Sequence, residues 1–150
     1  MKLPTPIQVL LVEDDPAEAK TIAALLERSG LRHELAIVQD ADRAIALLNQ
    51  AHPFESARLP DLVLLGSQLP HVNGVAVLTE VRHQRAAWRP ITAVILFSSS
   101  EDASSRNAAR VLGADAYFVK PVGPEDLQSV ALNLREVWDR LVERGFSEAD

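Results

Sequence analysis

Short aliphatic runs alternate with longer amphipathic segments along this chain, and that alternation predicts an α/β protein with a doubly wound parallel sheet. Runs such as Val9-Leu10-Leu11-Val12 are apolar on both faces, as strands are when helices cover a parallel sheet from both sides. The strand-then-helix unit recurs five times, and right-handed crossovers turn such repeats into a doubly wound sheet. At 150 residues the chain fits one domain. That length buries about two-thirds of the surface exposed by the unfolded chain, so a single core is expected, with no room for an output module.

Strands are expected at Ile7 to Val12, Glu34 to Val38, Leu62 to Leu65, Ile91 to Phe97 and Ala116 to Val119. The first helix opens at Pro16, a first-turn proline, carries Ala19, Ile22, Ala23 and Leu26 on one stripe, and stops before Gly30. Asp40 caps the second helix, which presents Ala44, Ile45 and Leu48. The third runs from about Val75 to Arg85, the fourth from about Asp102 to Leu112 with Gly113 as its stop, and the fifth from about Pro124 to Arg144. The long connection, Asn49 to Leu59, holds His52-Pro53-Phe54 and reads as an insertion loop. No internal repeat interrupts the pattern.

Composition removes several function classes. Hydrophobic residues make up 47% and charged residues 24%, too aliphatic for disorder. With no cysteine there are no disulfides or thiolate metal sites. A net charge of -6 without a basic run disfavours nucleic acid, whose phosphates call for a basic patch. Met1 to Pro6 lacks the apolar stretch of a signal peptide. No run approaches the ~18 apolar residues of a membrane span. A cytoplasmic protein is expected.

In open parallel sheets the site lies beyond the carboxyl ends of the strands. The first strand ends in Glu13-Asp14-Asp15. A dinucleotide site would place glycines there, and this acidic cluster repels phosphate unless a cation intervenes. A haloacid-dehalogenase-like phosphatase would need Asp-x-Asp after its first strand, which Glu13-Asp14-Asp15 does not supply. Paired carboxylates suit a hard divalent cation such as Mg²⁺, although acids at a helix N-terminus also occur for dipole reasons alone. The fourth strand ends in Phe97-Ser98-Ser99-Ser100-Glu101 and the fifth in Tyr117-Phe118-Val119-Lys120-Pro121. Singly, the first reads as a capping box and the lysine as a solvated one.

Together, acids after strand one, hydroxyls after strand four and Lys-Pro after strand five form a specific constellation. With Pro60-Asp61-Leu62-Val63-Leu64-Leu65-Gly66-Ser67-Gln68-Leu69-Pro70 between them, it resembles the receiver domain of bacterial response regulators over about Ile7 to Leu141. The resemblance implies a flavodoxin-like (βα)5 fold with strand order 2-1-3-4-5, and a receiver domain at 7–145 between an extension, 1–6, and a tail, 146–150. It implies that Glu13 and Asp14 are the acidic metal pair, with Gln68 offering its backbone carbonyl. Ser98 takes the switch hydroxyl position, Tyr117 the aromatic that moves with it, and Lys120 the lysine that contacts the phosphoryl group. It also implies a cis Lys120–Pro121 bond.

Position 66 departs from that family. There the residue ending this strand is the carboxylate that accepts the phosphoryl group, and here it is Gly66. An acyl phosphate needs a carboxylate oxygen as nucleophile. Ser67 points away by strand alternation, and Asp61 is roughly 16 Å back at ~3.3 Å per residue. Losing one carboxylate leaves Mg²⁺ binding weak at best, and Lys120 is expected to pair with Asp14 or Glu13 instead. A glycine at a strand end also permits unusual backbone angles and admits a loop into the vacated space.

The expected function is therefore that of a non-enzymatic, phosphorylation-independent interaction module in two-component signalling. The alternative is a conventional phosphorylation switch with an inactivating substitution at Gly66. A purely structural dimer partner is a weaker third option. The fifth helix carries Leu127, Val130, Leu134, Val137 and Leu141 at heptad-like spacing, with Trp138 beside them. That stripe can pack on the sheet, yet a helix of roughly 30 Å outruns a strand of five or six residues. Leu134, Trp138 and Leu141 are accordingly the candidate interaction residues. The layout also resembles single-domain regulators paired with phytochrome-type histidine kinases. A sensor kinase, a downstream signalling protein or a second copy of the chain are thus the expected partners, with neither nucleic acid nor membrane.

Overall fold

The computed structural model describes residues 6–66, 72–87, 93–98, 103–111, 113–121 and 123–149. Strands and helices alternate throughout: β1 Ile7–Val12, α1 Pro16–Arg28, β2 His33–Val38, α2 Ala41–Leu48, β3 Leu62–Leu65, α3 Val72–Ala87, β4 Ala93–Ser98, α4 Ala103–Val111, β5 Ala116–Val119 and α5 Pro124–Ala149. The five strands form one sheet in the order β2-β1-β3-β4-β5. All four pairings are parallel, and Val12 stands opposite both Val38 and Leu65.

Strand alternation divides the core in two. Val9, Leu11, Leu62, Leu64, Ile95 and Phe97 face α1 and α5, while Leu10, Val63, Leu65, Val94 and Leu96 face α2, α3 and α4. Period-two side-chain placement sends neighbours in each strand to opposite layers, which explains the doubly apolar runs. The helix starts are set by side-chain caps. Asp15 accepts from the amides of Ala17 and Glu18, with Pro16 at the first turn, and Asp40 accepts from Arg43 N at 2.8 Å. Gly30 and Gly113, at φ of 79° and 102°, come after α1 and α4 in the left-handed region that glycine enters freely.

At the amino end of the sheet, two aspartates close strand starts. Asp61 Oδ2 accepts from Gln8 N at 2.8 Å, and its own amide donates to Gln8 O at 2.7 Å. Asp115 repeats the arrangement on Val94, with both distances 2.8 Å. Asp61 is therefore a structural cap at the end of the sheet away from the strand tips, too far off to stand in as a nucleophile.

Several expectations need correction. α3 starts at Val72, ahead of the expected Val75, and β4 includes Ser98. α5 continues through Ala149, beyond the expected end near Arg144. Leu134 and Trp138 are 0% and 4% exposed and belong to the α1–α5 core layer, with Leu141 packed against it. α5 packs on α1 and shares a core layer with sheet residues, so α1 covers the stripe that the strands alone were too short to cover. Leu134 and Trp138 are core, and Leu141 is partly buried beside them. Among the described residues the large exposed apolar side chains are Ile37, Val111 and Leu132.

Candidate functional site

The strand register brings the tips of β1, β3, β4 and β5 to one edge. Backbone bonds then fix the residues at and just past each tip. Glu13 N donates to Val38 O at 3.0 Å, Gly66 N to Val12 O at 2.9 Å and Lys120 N to Ser98 O at 2.8 Å. The residue after each of β1, β3 and β5 is thus held by the last carbonyl of a neighbouring strand, and Glu13, Gly66, Ser98 and Lys120 all lie at the carboxyl edge of the sheet.

The central feature is a buried ion pair. Lys120 Nζ donates to Glu13 Oε1 at 2.9 Å, with the two side chains 10% and 1% exposed. Glu13 Oε2 accepts from Asp15 N at 3.3 Å. Lys120 also pairs with Glu18, which the Asp15 cap places in the first turn of α1. One ammonium therefore ties β5 to β1 and to α1. Burial pushes the Glu13 carboxyl above its ordinary range; the Lys120 hydrogen bond opposes the rise, while the adjacent Asp14 adds to it. A charge removed from water is tolerated only when paired, and Lys120 is the partner that the expectation for Gly66 anticipated. Of the two acids considered for that role, Glu13 takes it, and Asp14 stays exposed.

Ser98 is buried at the tip of β4. Tyr117 is half-buried against the α2–α4 layer, with the Arg106 guanidinium 5.4 Å from its ring centroid, a cation–π distance. Gln68, with Ser67 and Pro70, lies outside the described residues. Among the described residues the cis peptide is His52–Pro53, so the cis bond expected at Lys120–Pro121 is not formed.

Two participants escaped the sequence reading. Glu18 carried a signal: an acid at the third position after a helix cap sits over the preceding strand tip. Arg106 carried none, because its meeting with Tyr117 depends on how α4 lies along β5.

Whether these residues fit a divalent cation is decided by their oxygens. A hard cation needs several converging carboxylate or carbonyl oxygens. Both Glu13 oxygens are engaged, one by Lys120 and one by Asp15 N. Among the described residues no group of three His, Asp or Glu side chains converges. As arranged, they do not fit a tightly held cation.

The profile described as "Response regulator receiver domain" matches residues 9–132. Response regulator Rcp1 of Synechocystis sp. (strain ATCC 27184 / PCC 6803 / Kazusa) is 31% identical over 133 residues, covering 89% of this chain and 89% of its own length. The crystal structure of the Mn(2+)-bound form of response regulator Rcp1 superposes with a TM-score of 0.72 at 29% identity, over 89% of this chain and 94% of that one. The phosphorylated cyanobacterial phytochrome response regulator RcpA also gives 0.72 at 29% identity, over 88% and 93%.

Proposed function

The chain belongs to the response regulator receiver domain family, and from that premise we propose that it is a receiver that signals without a phosphoryl group. One observation carries the reading: where the resemblance puts the acceptor carboxylate stands Gly66, and the lysine expected to meet the phosphoryl group is already paired with Glu13. Phosphoryl transfer to a receiver needs a carboxylate oxygen in line with the donor phosphorus, and glycine supplies none. Lys120 instead joins the tips of β1 and β5 and the start of α1 permanently. The domain therefore holds one conformation at the surface a partner reads.

This function is non-enzymatic and belongs to two-component signalling. The partner is a sensor histidine kinase, of the phytochrome type given the relatives named above, or a downstream signalling protein; a second copy of the chain is the other occupant consistent with a receiver. A divalent cation binds weakly, since Glu13 is engaged elsewhere. No helix of the described residues is long and apolar enough to cross a membrane, which accords with a cytoplasmic setting.

A second reading draws on Ser98, Tyr117 and Lys120, which the resemblance assigns to the working parts of a switch. In it the chain is a conventional phosphorylation-switched receiver inactivated by substitution at Gly66. Partner affinity separates the two when it is measured on Gly66→Asp, in which an acceptor is present. Binding to a phytochrome-type histidine kinase is expected to have the same Kd, within about twofold, with and without a small phosphodonor and Mg²⁺. A tenfold change on adding the phosphodonor, about 1.4 kcal/mol, would contradict the proposal.

A further inference from the structure

The side-chain space given up at position 66 is filled. A Cβ built on Gly66 would stand 2.3 Å from Glu13 Oε1, 2.7 Å from its Cδ and 3.2 Å from its Cβ. The first two contacts are too short for any real side chain, so the carboxyl end of Glu13 would have to leave. Glu13 Oε1 is the atom that meets Lys120 at 2.9 Å. Backbone freedom is not the reason for glycine here, because the positive-φ glycines among the described residues are Gly30, Gly113 and Gly123. Among the described residues, the occupant is the Glu13 side chain. Position 66 is glycine for space, and a glutamate uses the space.

We infer that Gly66 and Glu13 form a two-residue lock: the glycine admits the Glu13 carboxylate onto Lys120, and that buried pair keeps the pocket's affinity for divalent cations low. This rests on the receiver reading and deepens it, because it separates two effects of one substitution. Losing the acceptor removes a ligand. Opening the space also turns a second ligand inward. A cation at the β1 tip needs the oxygens of Glu13 and Asp14 together, and the lock leaves only Asp14 facing out. Any side chain at position 66, even one without oxygen, evicts the Glu13 carboxyl from Lys120 and frees its oxygens for a cation beside Asp14.

The test is therefore a variant that adds no ligand. Mn²⁺ affinity by calorimetry and thermal unfolding are measured on the full chain as it stands and on Gly66→Ala, Glu13→Ala and the double variant. Gly66→Ala is expected to bind Mn²⁺ at least about tenfold more tightly and to unfold about 3–6 °C lower. With Glu13→Ala already present, the same change at 66 shifts unfolding by less than about 1 °C and gains no affinity, the mark of direct coupling. Unchanged Mn²⁺ affinity in Gly66→Ala overturns the lock, and so does an unfolding shift of equal size with and without Glu13. Should Gly66→Ala not fold, the double variant decides: folding restored by Glu13→Ala upholds the lock, and a double variant that also fails to fold overturns it. Failure of the receiver reading shows separately, as a phosphoryl adduct on the unaltered chain.

Discussion

The two ends of the sheet both use carboxylates at strand termini, and they use them differently. At the amino end, Asp61 and Asp115 accept backbone amides from the neighbouring strand, each at 2.8 Å, and are part-exposed. At the carboxyl end, Glu13 is buried and meets a lysine from a strand tip 107 positions away. A carboxylate satisfied by local amides in partial contact with water is a fastener. One withdrawn from water needs a counter-ion, and the counter-ion sets what else the pocket can bind. The fold thus fixes its amino end with local bonds and leaves its carboxyl end as a charge balance that one residue can alter.

Substitutions at the two ends should separate along this line. Lys120→Met leaves Glu13 buried without its ammonium. It is expected to destabilise the domain by about 3 kcal/mol in denaturant unfolding, as removing one partner of a buried pair does. A loss under about 1 kcal/mol would mean that Glu13 escapes to solvent and that the ends differ less than the geometry implies. Asp61→Ala removes the acceptor for Gln8 N and should cost about 1–2 kcal/mol, with Mn²⁺ affinity unchanged; a change in affinity would erase the distinction between the ends. Glu18→Gln is the smallest. Its side chain is 37% exposed, so screening holds the loss to no more than about 0.5 kcal/mol. A larger loss would move Glu18 from the rim into the buried pair.

Much of the fold was legible because it rests on local signals. Aliphatic runs placed β1, β3 and β5 at the observed residues, and Asp15-Pro16 and Asp40 marked helix starts through caps that act within a few residues. The reach of α5 was not legible. Gly145 weakens a helix by about 1 kcal/mol relative to alanine without ending it, and neither a proline nor a cap comes after it. The burial of Trp138 was hidden for another reason: it depends on α1 lying beside α5, a contact between distant segments. At the site, strand-end position together with the receiver resemblance singled out Glu13, Gly66, Ser98 and Lys120. The choice of Glu13 over Asp14 as lysine partner needed the side-chain direction at the β1 tip, and Glu13 filling the space at 66 needed the β1–β3 register. Those are three-dimensional facts without a sequence pattern.

The central claim, that this receiver carries no phosphoryl group because Gly66 offers no acceptor, is met most directly by intact-mass measurement. The unaltered chain and Gly66→Asp are incubated side by side with a small phosphodonor and Mg²⁺. The account predicts one added phosphoryl mass on Gly66→Asp, where the aspartate both supplies the nucleophile and displaces Glu13, and none on the unaltered chain. A phosphoryl adduct on the unaltered chain would contradict it and send the search to another acceptor.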